Sequence, residues 1–142
     1  MPIAVKRVYE KPSRTDGTRV LVDRLWPRGL SKDAAAIHAW FKDLAPSDEL
    51  RKWFHAHTNS WELFRKRYIK ELGRDEAAGP LQKLHELATG RKSLTLLFAS
   101  KDKDRNNAVV LKDLLEGMRK PPTGTGPAAA STGLRRAARR PR

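Results

Sequence analysis

The sequence predicts an α/β domain, a small few-stranded sheet with a helical layer, and three observations carry that prediction. Val20-Leu21-Val22 and Leu94-Thr95-Leu96-Leu97-Phe98 are short, nearly unbroken apolar runs, as expected of strands buried on both faces. Between them, apolar residues recur at helical spacing. The resulting order, strand, helices, strand, helix, is that of an α/β protein, in which ligands sit beyond the carboxyl ends of the strands. A length of 142 residues suits one such domain.

The elements follow in order. Ile3, Val5 and Tyr9 suggest a first strand over 3–9, and a second runs from about 19 to 25. The link between them, Glu10 to Thr18, carries Pro12 and Asp16-Gly17 and is too short for a helical crossover, so a hairpin-like pairing is expected. Trp26-Pro27-Arg28-Gly29 forms a stiff turn, since proline fixes its own φ and restricts the residue before it. Ser31 then caps a helix with Ile37, Trp40, Phe41 and Leu44 on one face. Pro46-Ser47 opens a second helix through Leu50, Trp53, Phe54 and His57, and a third carries Trp61, Phe64, Tyr68 and Leu72 up to Gly73. Gly79-Pro80 opens a fourth through Leu81, Leu84, Leu87 and Ala88. After the strand at 94–98, a charged loop leads into a last helix through Ala108, Leu111, Leu114, Leu115 and Met118, with Asn106 or Asn107 as its cap.

Composition narrows the chemistry. There is no cysteine, which removes disulfides, thiol catalysis, zinc-thiolate sites and iron-sulfur ligation, and any redox chemistry would need an external cofactor. No signal-peptide pattern stands at the N-terminus and no apolar run approaches the roughly 18 residues of a membrane span, so a cytoplasmic protein is expected. The net charge of +14 is uneven: residues 1–120 hold 25 Lys/Arg against 16 Asp/Glu, whereas 121–142 hold five Arg and no acid. That last stretch, rich in Pro, Gly and Ala, buries too little surface to offset its ordering entropy. The expected organisation is therefore an α/β domain over 1–120 and a disordered basic tail over 121–142.

Two apolar strands that both end in charge define the candidate site. If the strands are parallel neighbours, Asp23, Arg24 and Arg28 meet Ser100, Lys101 and Asp102 at one edge. Arginine suits phosphate or carboxylate because its planar fork donates two parallel hydrogen bonds, and a helix capped near Asn106 and Asn107 offers amides to an anion. Trp26 would wall such a pocket. The candidate ligand-binding set is thus Arg24, Trp26, Arg28, Lys101, Asn106 and Asn107, with Asp23, Asp102 and Ser100 as weaker catalytic candidates. Against this stands a purely structural alternative, in which Asp23 pairs with an arginine to close the sheet end. Asp23 and Asp102 are too thin a set to assign a metal. The histidines, His38, His55, His57 and His85, form no metal-binding motif. Trp40, Trp53 and Trp61 fall at core spacing.

The stretches DGTRVLVDRLWPRG at 16–29, LAPSDELRKWF at 44–54 and LLFASKDKDRNNAVVL at 96–111 resemble the family called domain of unknown function 488, in its short YeaO-like branch. The resemblance covers residues 3–120 and implies a single bacterial α/β domain with no established reaction. It also implies that longer relatives carry cysteines where this chain has Phe98 and Asn106, and a histidine where it has Asn107, so cysteine-dependent chemistry does not transfer. No recognition-helix pattern supports a winged-helix regulator.

The leading expectation is a small anionic ligand, phosphorylated or nucleotide-like, held by Arg24, Arg28 and Lys101. One alternative is a nucleic-acid accessory protein that uses the basic surface and tail through salt-dependent phosphate contacts. Another is a non-catalytic interaction module. No cofactor and no oligomeric state is named by the residues.

Overall fold

Four strands, β1 (Ile3–Arg7), β2 (Thr18–Leu21), β3 (Ala39–Trp40) and β4 (Leu94–Phe98), form one parallel sheet in the order β1-β4-β2-β3. The structure is a computed structural model and describes residues 3–118. The basic tail at 121–142 lies outside the described residues. Among the described residues, five α-helices accompany the sheet: α1 (Lys32–Ala35), α2 (Asp48–Ala56), α3 (Trp61–Leu72), α4 (Asp75–Ala88) and α5 (Asn107–Gly117).

The continuous apolar runs are explained by burial on both sheet faces, because successive side chains along a strand point in opposite directions. Val20, Val22, Leu94, Leu96 and Phe98 face the main core, where Phe64, Tyr68, Leu81, Leu84 and Leu111 from the helical layer meet them. Leu21 and Leu97 face the other way and pack with Val8, under Trp26, Leu30, Ile37 and Trp40. The second face changes character along its length. Toward the carboxyl end it is apolar, and toward the amino end it carries buried Arg19 and Thr95.

The expected hairpin does not form. β4 lies between β1 and β2, and both pair with it in parallel, so the short link must carry the chain back from the carboxyl to the amino edge. Ten residues of extended chain span up to about 33 Å, enough for that return without a helix. The link closes with a 3-10 turn at Arg14–Asp16, held by a Ser13 capping box.

The helix expected over 31–44 is also replaced. Ser31 does cap α1, but Ala36 adopts a left-handed conformation (φ 50°) and ends the helix after one turn. The chain then extends, so that Ala39 and Trp40 pair with Val20 and Leu21. Ile37 and Trp40 are core residues of the second face rather than of a helix stripe, a case of tertiary packing overriding helical spacing. β2 stops at Leu21, four residues short of the expected limit, because the backbone turns away once the Val22 amide has donated to Leu97 O (3.2 Å). α4 begins at Asp75 and runs through Pro80. Gly79 before it has no Cβ to clash with the proline ring, which eases that continuation.

Candidate functional site at the strand ends

β2 and β4 are parallel neighbours, so the loops after Leu21 and Phe98 do meet. Asp23 stands at their junction. Its Oδ2 accepts from the Ala99 amide (2.9 Å) and its Oδ1 from Asn107 Nδ2 (3.0 Å). Asn107 also donates to Val22 O (2.8 Å), and Trp40 Nε1 donates to Asp23 O (2.7 Å). One carboxylate thereby ties the β2 exit to the β4 exit and to the first turn of α5. Burial pushes the Asp23 carboxyl above its ordinary range, and the Ala99 and Asn107 hydrogen bonds and the Arg51 charge only partly offset this.

The remaining residues of the expected site are distributed as follows. Arg24 turns away, donating to Pro46 O (3.3 Å) and Ala45 O (3.4 Å), and lines a cavity of 130 Å³ that includes Asp43, Glu71, Arg74 and Glu76. Its neighbour Glu71 is committed to the start of α2, accepting from Ser47 N (2.8 Å) and Ser47 Oγ (2.6 Å). Arg28 and Lys101 are exposed and line neither this cavity nor the larger one at the opposite sheet edge. Trp26 packs edge-on to Trp40 and donates to Leu30 O (2.7 Å), so it seals the second face. Asn106 is the cap of α5, accepting from Val109 N (3.0 Å). Asp102 shapes its own loop, with Oδ1 accepting from the amides of Asp104 (2.9 Å) and Arg105 (3.0 Å). Ser100 Oγ accepts from the Asp102 amide (3.2 Å).

Two residues outside the expected set join the loops. Arg7 Nε donates to Ala99 O (3.2 Å) and Ser100 O (3.1 Å), while its guanidinium lies 4.9 Å from the centre of the Tyr9 ring. Tyr9, 41% exposed, donates its hydroxyl to Arg28 O (2.9 Å). The turn bearing Arg28 and the loop bearing Lys101 are therefore fastened to opposite sides of one Arg7–Tyr9 bridge. The signal for this lay in Arg7 and Tyr9 flanking the end of the first strand. Tyr68, buried below, donates to Leu44 O; burial, then the Asp23 and Glu71 charges, holds its hydroxyl neutral well above the ordinary range.

Fold and site together define a class: a small parallel α/β domain whose strand-end carboxylate is built into the fold, with no group of three or more metal-ligating side chains among the described residues. No helix among those residues is long and apolar enough to cross a membrane. The chain belongs to the DUF488-N3i family, described as the inactive DUF488-N3 subclade, whose model matches residues 2–133. That span reaches past residue 120, where the resemblance read from the motifs ended. The chain is 42% identical over 118 residues to the uncharacterized protein YeaO of Escherichia coli strain K12, covering 83% of this chain and all of that relative. It is 44% identical over 115 residues to the uncharacterized proteins Mb3100c of Mycobacterium bovis and Rv3073c of Mycobacterium tuberculosis, covering 81% of this chain and 94% of each relative. No solved structure matches.

Proposed function

We propose that this chain is a non-catalytic cytoplasmic module that binds the phosphate backbone of nucleic acid through the cations beyond its strand ends. The observation that carries the reading is the Arg7–Tyr9 bridge, which fixes the Arg28 turn beside the Lys101 loop while both charged side chains stay exposed. Exposed cations on open loops suit an extended polyanion, which needs no enclosing pocket. The non-catalytic half is supported by Asp23, whose two oxygens are both occupied by donors of the fold. Asp102 and Ser100 likewise accept from backbone amides of their own loop. The family description, an inactive subclade, points the same way.

Fluorescence anisotropy with a labelled duplex at rising salt tests this. Arg28→Ser with Lys101→Ser should weaken binding uniformly across sequences and lower the salt slope by roughly 2. Deleting residues 121–142 lowers the slope separately if the five tail arginines contribute. Binding that vanishes on tail deletion but ignores the double substitution would remove the strand-end surface from the account.

A further inference from the structure

We propose that the opposite, amino edge of the sheet is a binding site for a small phosphate monoester. A cavity of 520 Å³ lies there, lined by Arg14, Thr15, Thr18, His38, Lys92 and Ser93. That volume is within the range of small-ligand sites, roughly 300–1,000 Å³. Its lining holds two cations, an imidazole and three hydroxyls, and no carboxylate.

The local chemistry keeps that positive character unspent. The nearest buried acid, Asp16, is engaged beneath the cavity: Arg19 Nη1 (2.6 Å), Lys6 Nζ (3.2 Å) and the Ser13 amide (2.9 Å) all donate to it. Among the described residues, neither Arg14 nor Lys92 has a carboxylate within salt-bridge distance. His38 is oriented by the backbone, since the Arg19 amide donates to its Nδ1 (2.9 Å). That bond puts the proton of the neutral ring on Nε2, which leaves a donor for a ligand oxygen. An arginine fork, an ammonium and an imidazole N–H are together the donor set that a phosphate dianion takes.

The cavity also depends on a glycine. Gly17 has φ 65°, and a Cβ there would stand 2.2 Å from Ser93 O. This close approach lets Thr18 N donate to Ser93 O (2.8 Å) and brings the 3-10 turn carrying Arg14 beside the loop carrying Lys92. The site is independent of the strand-end surface: it lies at the other end of the sheet and is lined by different residues.

The test is a titration of the 15N-labelled full chain with inorganic phosphate and, separately, with adenosine 5′-monophosphate. Amide shifts at Thr15, Gly17, Thr18, Lys92 and Ser93 are expected. Preference for the nucleotide would show that the site also reads the esterified group, and equal affinity would show that it recognises the phosphoryl group alone. Arg14→Ser with Lys92→Ser, both exposed positions, should weaken binding about tenfold or more, whereas Arg28→Ser with Lys101→Ser should leave it unchanged. Absent shifts in this set, wild-type affinity in the Arg14/Lys92 variant, or shifts that map to residues 99–106 would overturn the proposal.

Discussion

Each end of the sheet holds an aspartate, and the two carboxylates are handled in opposite ways. At the amino end, burial raises the Asp16 pKa, but the Ser13 amide, Lys6 and Arg19 outweigh it and hold the carboxyl below its ordinary value of 3.8. At the carboxyl end, Asp23 has amide donors and, among the described residues, no cation within salt-bridge distance, and burial wins, raising it above 3.8. The difference shows that a sheet end can be closed either with charge or with dipoles. Ion pairing at the amino end consumes the buried acid there, Asp16, and leaves Arg14 and Lys92 over. Dipolar closure at the carboxyl end leaves a latch, with its cations displaced to exposed loops.

Removing the buried cation at the amino end has the largest expected effect. Arg19 is 2% exposed, and besides Asp16 it serves Ala35 O through Nη2 (2.8 Å). Arg19→Met keeps the stem and deletes the charge. It should cost about 3–5 kcal/mol in urea unfolding, the range for stranding one partner of a buried pair. A cost below about 1 kcal/mol would mean that Lys6 and water suffice for Asp16, and the amino end would no longer count as closed by charge.

Next in size is the latch. Asp23→Ala leaves the Ala99 amide without an acceptor and Asn107 with one partner fewer, so a loss of about 1–3 kcal/mol is expected. Faster hydrogen exchange at Ala99 should accompany it. A gain in stability would be the informative surprise, because relief on removing a polar group is the mark of residues strained for activity rather than for the fold. Asp23 would then return as a catalytic candidate.

The two ends were unequally legible in the sequence. Leu94–Phe98 as a central strand and a helix cap at Asn106 or Asn107 followed from local pattern, because both-face burial leaves a continuous apolar run and an N-cap needs a short polar side chain; the cap is Asn106, and the parallel pairing with the strand from Val20, a non-local feature, stood only as the condition of the site. β3 was hidden, since Ala39 and Trp40 sit among apolar residues at helical spacing and only pairing with Val20 and Leu21 makes them a strand. Arg24 could not be placed from its neighbours: a long side chain reaches well past its own loop, and here it reaches Ala45 O and Pro46 O. The amino-end cluster had one available clue. Arg19 opens an otherwise apolar run, so it must be buried with an acid, and Asp16 is three residues away across a turn.

The smallest effect is also the most direct reading of the contrast. For Asp23, raised on folding, the folded chain binds the proton more tightly, so between pH 3.8 and its elevated value stability falls as pH rises. For Asp16, lowered on folding, the unfolded chain binds the proton more tightly, so between its depressed value and pH 3.8 stability rises with pH. The two windows are centred on opposite sides of 3.8 and have opposite signs, which separates them in one experiment. Urea midpoints across the acid range, taken as each variant minus wild type, should show Asp23→Asn removing a downward slope above 3.8 and Asp16→Asn removing an upward slope below it. Neither slope can exceed about 1.4 kcal/mol per pH unit for a single group. If both differences changed on the same side of 3.8, or with the same sign, the two ends would share one electrostatic design, and the excess of cations at Arg14 and Lys92 would lose its explanation.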